Sequence, residues 1–317
     1  METPFHAAAQ KTEEQLRAYL SERSNWGRWG NDDQLGTLNL ITNDKRVRAA
    51  ALVSEGRTAS LSQVIRPNRA DDPYLTCCDV STVDRGNGEA FAQDYFGVSY
   101  HGHGTTHIDA LCHLWQDNRM WNGRNPADVI GSKGASWGDI EQWHGGIVTR
   151  GVLLDVPRAR EVSYVAADAP VHGAELEAIV NARGIRLEPG DALLVYSGRD
   201  AWNKENTAWE SLGPKFNAEN NGGVRPGLHA SCMEFLREND VAVLMWDMLD
   251  LSPSGYSFKW SVHGAIPAFG LALVDNIDFT ELIPLARELD RDEFMVTIGP
   301  LRVKGGTGSP VNPIAIF

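Results

Sequence analysis

Cysteine is scarce in this sequence: 317 residues carry only Cys77, Cys78, Cys112 and Cys232. Adjacent Cys77 and Cys78 are poor partners for each other, and no spacing suggests a disulfide framework or a four-cysteine zinc site. Basic residues are outnumbered, 29 Lys and Arg against 42 Asp and Glu, for a net charge of −13. That balance, with no basic patch interleaved with aromatics, excludes broad attraction to nucleic acid or to an anionic membrane. No apolar run approaches the ~18–20 residues that span a bilayer. The first eleven residues lack the basic region and apolar stretch of a secretory signal. The expectation is a reduced, cytoplasmic protein.

What is present is an ordinary globular composition, 42% hydrophobic and 22% charged, long enough to bury a sizeable core. Thr12, with Gln15 three residues on, predicts a capped helix over 10–22, and Asn43 is the expected cap of a second helix ending near Ser54. Between them lies a turn-rich segment with Trp26 and Trp29, and together residues 1–55 read as an N-terminal helical arm. Strands are expected at 58–66, 77–83, 92–101, 148–156, 192–197, 241–245, 271–275 and 294–299. Helical spacing falls at 172–183, 228–239, 263–270 and 278–289. Loops are expected at 66–73 and across 200–227. This alternation argues for one α/β domain over residues 1–317 with a mixed sheet.

The chemistry concentrates between residues 101 and 113, which hold four of the nine histidines where even spreading would put about 0.4. His103, His107, Asp109 and His113 follow one another at short intervals. Imidazole and carboxylate are the donors that a borderline divalent ion such as zinc or manganese prefers. A buried cluster of mutually satisfied histidines is the alternative. His101, two residues before His103, reads either as a residue orienting a ligand or as a packed histidine at the rim. Cys112 faces the core on this reading. Tyr95, Phe96, Trp115, Trp121, Phe258 and Trp260 lie close in sequence to candidate site residues; those that face the site would favour a flat ring. Ser197 lacks a G-x-S-x-G setting, so a serine nucleophile is not expected.

The run from His103 to His113 resembles the signature of the putative cyclase family of metal-dependent hydrolases, which includes bacterial kynurenine formamidases and isatin hydrolase. The likeness extends to Asn25–Gly30 and Leu35–Leu40, to Gly145–Asp155 and Gly190–Gly198, and to Pro226–His229, Asp247 and His263–Leu282. The resemblance implies an α/β fold of the swivelling β/β/α type, with a curved mixed β-sheet flanked by helices. It implies one or two divalent ions, Zn2+ or Mn2+, with His103, His107 and Asp109 as ligands, Asp109 able to bridge, and His113 as the catalytic histidine. His263 and Asp275, twelve positions apart, match the family's second pair, with aspartate where glutamate is usual.

The function expected on these grounds is hydrolysis of an amide, cyclic amide or lactone carbonyl in a small, ring-containing molecule by metal-activated water. A lyase or cyclisation at the same site, or metal binding without turnover, are the alternatives. Homodimers or homotetramers are the implied assembly.

Overall fold

In the computed structural model, which describes residues 11–65, 76–209, 224–258 and 261–317, helix α1 (Glu13–Glu22) starts at the predicted cap. Thr12 Oγ1 accepts the Gln15 backbone N–H, and Gln15 Oε1 accepts that of Thr12. The box satisfies two donors that the first turn leaves without intrahelical partners. Helix α2 (Asn43–Ala50) is capped by Thr42, not by the expected Asn43. Thr42 is the last extended residue, so its hydroxyl faces the first turn, whereas Asn43 is already helical. The expected loop at 66–73, most of the glycine-rich stretch before Val224, and Trp260 lie outside the described residues.

The strands that follow are β1 (Thr58–Ser60), β2 (Thr76–Gly86), β3 (Glu89–Val98), β4 (His107–Asp109), β5 (Ile130–Gly131), β6 (Gly134–Ala135), β7 (Ile147–Asp155), β8 (Ala192–Tyr196), β9 (Val243–Trp246), β10 (Ala272–Asp275), β11 (Glu293–Ile298), β12 (Gly308–Pro310) and β13 (Ile314–Ile316). Among them run helices α3 (Pro126–Val129), α4 (Val156–Arg160), α5 (Gly173–Ala182), α6 (Arg199–Glu205), α7 (Cys232–Glu238), α8 (Ala265–Phe269) and α9 (Leu282–Leu289). One mixed sheet has the order β1-β13-β11-β7-β8-β9-β10-β4-β12. Its centre, β7 to β10, is parallel, and its flanks are antiparallel.

The parallel centre follows from composition. Ala-Leu-Leu-Val-Tyr in β8 and Val-Leu-Met-Trp in β9 are buried at every position, without the alternation of a half-exposed strand. Such runs suit strands covered on both faces, and the helices between them supply the crossovers. The expected α/β architecture, a mixed sheet flanked by helices, is therefore present. Two departures matter for the site. The strand expected to run into the histidine motif, β3, stops at Val98 and pairs only with β2, outside the main sheet. The motif instead enters the sheet through β4, three residues long and too short to show a period. No helix among the described residues is long and apolar enough to cross a membrane.

A charged cluster ties the arm to the sheet. Asp191 is fully buried; its Oδ1 lies 2.5 Å from Lys45 Nζ, and its two oxygens accept from Arg150 at 2.9 and 2.6 Å. The Glu188 backbone N–H donates to the same carboxylate. Removing one member of such a buried set strands the opposite charges. Asp191→Ala should therefore cost about 3–5 kcal/mol in urea denaturation. Glu288→Ala, which removes the exposed pair with Arg57, should leave the denaturation midpoint almost unchanged. Equal losses would refute this ranking.

Candidate metal centre

Cross-strand register builds the centre. His107 and Asp109 are two apart on β4, so both side chains leave the same face, and Asp275 of β10 is the direct partner of His107. Among the described residues, two groups hold donor atoms all within 4.8 Å of one another: His107, Asp109 and Asp275, and His101, Asp109 and His113. Asp109 belongs to both. Its Oδ1 lies 3.0 Å from His101 Nδ1, 3.6 Å from His107 Nε2 and 3.8 Å from His113 Nε2. Yet this buried oxygen has no hydrogen-bond partner, nor does His101 Nδ1.

For His107 the tautomer supplies the reason. His107 Nδ1 lies 2.8 Å from the Thr105 carbonyl, which can only accept, so Nδ1 carries the proton and Nε2 presents its lone pair. That lone pair faces Asp109 and, at 3.8 Å, Asp275 Oδ2. A buried lone pair aimed at carboxylate oxygens suits a cation between them, and the donor set of imidazoles and carboxylates suits a divalent one.

Neighbours hold these donors in place. His263 Nδ1 is 2.6 Å from Asp250 Oδ2, while its Nε2 is 3.2 Å from Asp275 Oδ2. Trp246 Nε1 donates to the other oxygen of Asp275 at 2.5 Å. Such outer contacts fix ring orientation and carboxylate geometry in metal sites. Asn276, in the left-handed region at φ 58°, donates to the carbonyls of Gly102 and Thr105. Arg199 joins it to the same loop, donating to Asn276 Oδ1 and to the His103 carbonyl.

Charge follows this arrangement. Burial would raise the Asp109 carboxyl, but the imidazoles of His113, His107 and His101 outweigh it and hold it well below the usual range. Burial would also lower His263, yet Asp250 and Asp275 overcome it, and His263 stands well above the usual histidine value. His113 is pushed down to about 4 by burial, against the pull of Asp109. Its ring stacks on His101 at 3.7 Å, and both side chains remain partly exposed.

Five of the residues expected from sequence come together here: His107, Asp109, His113, His263 and Asp275. His103 lies outside both groups. Its Nε2 is 3.2 Å from Arg225 Nη1, and burial with Arg225 and Arg199 lowers it to about 3. A guanidinium cannot accept, so Nε2 must, and the proton of neutral His103 sits on Nδ1. In this arrangement neither nitrogen has a free lone pair, and ligation by His103 requires Arg225 to move. His101, which the sequence left open between orienting a ligand and packing at the rim, takes a place in the cluster, with its Nε2 3.0 Å from Thr307 Oγ1. Asp250, Trp246 and Asn276 escaped the sequence reading; Asn276 alone had a signal, as the neighbour of Asp275.

The aromatic surroundings also differ from expectation. Trp121 is core, Phe258 is buried, and Tyr95 and Phe96 stand exposed on β3. The rings beside the cluster are Tyr100, 5.9 Å from His107, and Trp246, 5.2 Å from His263. A cavity lined by Tyr196, Arg199, Asp200, Asp247 and Asp278 holds none of the clustered histidines. Asp247, one of its lining residues, accepts four backbone N–H groups that join the ends of β8 and β9.

A family model described as putative cyclase matches residues 57–253. A crystal structure described as a novel cyclase is 27% identical, with a TM-score of 0.79 over 94% of this chain and 99% of its own. Isatin hydrolase A from Ralstonia solanacearum is 18% identical, with a TM-score of 0.55 over 82% of this chain and 91% of its own. Isatin hydrolase A from Labrenzia aggregata, bound to benzyl benzoate, is also 18% identical, with a TM-score of 0.56 over 84% and 94%. At that identity the two hydrolases show the fold alone. No curated protein matches the chain.

The histidines set a pH profile for the metal-free protein. The fold keeps His103 neutral to about 3 and His113 and His229 to about 4, whereas the unfolded chain takes up these protons near 6.5. The unfolded state then binds more protons between those values, so stability rises with pH from about 4 to 6.5. Asp247, raised by burial to about 6, acts oppositely but is one group against three. Above 6.5 the raised His263 loses its contribution as pH climbs through its folded value. Melting temperature should therefore peak near pH 6.5, and a profile flat below that point would contradict buried neutral histidines.

Proposed function

Because the chain belongs to the putative cyclase family, we propose that it is a metal-dependent hydrolase acting on an amide, cyclic amide or lactone carbonyl of a small, ring-containing substrate. The observation that carries this reading is the buried Asp109 oxygen that three imidazoles approach and none satisfies. His107, Asp109 and Asp275 would hold the ion, His263 joining them only on giving up the proton it shares with its two carboxylates, with Zn2+ or Mn2+ favoured by a set of nitrogen and oxygen donors. A bound divalent ion supplies water acidified to near-neutral pKa and polarises a carbonyl oxygen.

The chain's own residues supply the rest. Thr105, Asp250 and Trp246 fix the orientations of His107, His263 and Asp275. His113 is neutral at physiological pH and partly exposed, so it starts as a proton acceptor. It then returns the proton to the leaving nitrogen or oxygen. The ring preference is supported by Tyr100 and Trp246 beside the cluster, and by the fold shared with two enzymes named for hydrolysing isatin, a cyclic amide.

Purified protein should carry stoichiometric divalent metal by elemental analysis, and Asp109→Ala should lose it. A metal-free wild type that cannot be loaded with zinc or manganese would end this reading. His113→Ala should keep its metal while turnover falls about a hundredfold or more. Loss of metal from that variant would make His113 a ligand instead. A screen of formylated aryl amines, isatin-like lactams, lactones and imides with zinc or manganese added should reveal a hydrolysed class; hydrolysis of none would count against the substrate assignment.

A further inference from the structure

His103 and its neighbours lie beside the metal centre without entering either donor group. His103 is buried, and its Nδ1, which carries the proton, has no hydrogen-bond partner among the described residues. Trp209 is fully buried, and its indole Nε1–H is likewise unsatisfied among them. A buried donor left unsatisfied costs free energy, and two of them side by side call for an acceptor. The two rings lie 6.1 Å apart, close enough for one small acceptor group to reach both.

Two guanidinium groups border this pair. Arg225 Nη1 meets His103 Nε2 at 3.2 Å, and Arg199 Nη2 donates to the His103 carbonyl at 2.6 Å. The Arg199 guanidinium also lies 6.0 Å from the centre of the Trp209 ring. Both arginines are anchored. The Arg225 backbone exchanges two hydrogen bonds with Ser252, and Arg199 Nη1 donates to Asn276 Oδ1. Asn276 is the residue after Asp275, so the donor set is tied directly to the metal cluster.

The chemistry of this set is one-sided. An indole N–H and a guanidinium donate and never accept, and His103 Nδ1–H also donates in the tautomer that Arg225 imposes. A carboxylate brings two acceptor oxygens in one plane and a full negative charge, the pattern that guanidinium groups recognise best. A neutral carbonyl oxygen can take the N–H groups but gains less beside two cations.

We propose that His103, Trp209, Arg225 and Arg199 form a carboxylate-binding site beside the metal centre, and that the substrate carries an acid group held there. Naming the ligand as substrate rests on the hydrolytic reading, whereas the binding site itself does not depend on turnover.

Calorimetric titration of the full chain with benzoate, and with benzamide as its neutral counterpart, tests the site. Benzoate should bind at least about tenfold more tightly than benzamide, both before and after a chelator removes metal. Trp209→Phe, which keeps a ring and removes the N–H, should weaken benzoate about fivefold. Arg225→Gln should weaken it about tenfold or more, and Arg225→Lys by less. Failure of benzoate to bind, equal binding of the two probes, or benzoate binding that vanishes with the metal yet survives in Arg225→Gln would each overturn the proposal. Among substrates, a formylated aryl amine with a ring carboxylate should show a higher kcat/KM than its methyl ester, a difference that Arg225→Gln should remove. Equal kcat/KM in the wild type would overturn the substrate assignment. Turnover of neither, with benzoate binding as expected, would support the site and fault the hydrolytic reading instead.

Discussion

Asp275 on β10 sits opposite His107 on β4, and the centre depends on that register. Side chains alternate along a strand, so a slip of one residue would turn His107 and Asp109 into the opposite layer and leave Asp275 facing an isoleucine. What prevents the slip is the packing on either side. Ile108 and Leu273 are fully buried, and β12 holds the far edge of β4 through Ile108↔Ser309. The loop before β4 is tied by Asn276, the residue after Asp275. The residues that gather the charges and the residues that lock the strands are therefore neighbours in one short stretch of sheet.

Electrostatics then divides the buried polar groups into two kinds. Around Asp191 every charge meets an opposite charge and the carboxylate is saturated with donors, so the cluster is structural glue between the N-terminal arm and the sheet. Around Asp109 the donors face one another with lone pairs and leave an oxygen unsatisfied. Burial costs free energy in both places, but only the second arrangement retains unused capacity. That difference, more than the number of histidines, distinguishes a binding centre from a packed polar core.

Much of this was legible in the sequence where the cause is local. The Thr12 capping box, the apolar runs of β7 and β8, and the shared face of His107 and Asp109 depend on residues a few positions apart. The twelve-residue interval from His263 to Asp275 was legible through family resemblance. What escaped was set by partners far along the chain. Arg225 engages His103 Nε2 and Thr307 engages His101 Nε2, contacts that residues 99–106 make as a loop and not as a continuing strand. Asp250 and Trp246 act only through the parallel pairing that brings β9 beside β10. The choice of Thr42 over Asn43 rests on which of two adjacent good caps is the last extended residue.

Asp109 lies in both triads with a single negative charge to offer. A cation seated in one triad neutralises most of that charge as felt from the other. Were both triads to take a cation, filling either would weaken the other's hold by the same factor, because both draw on the one carboxylate.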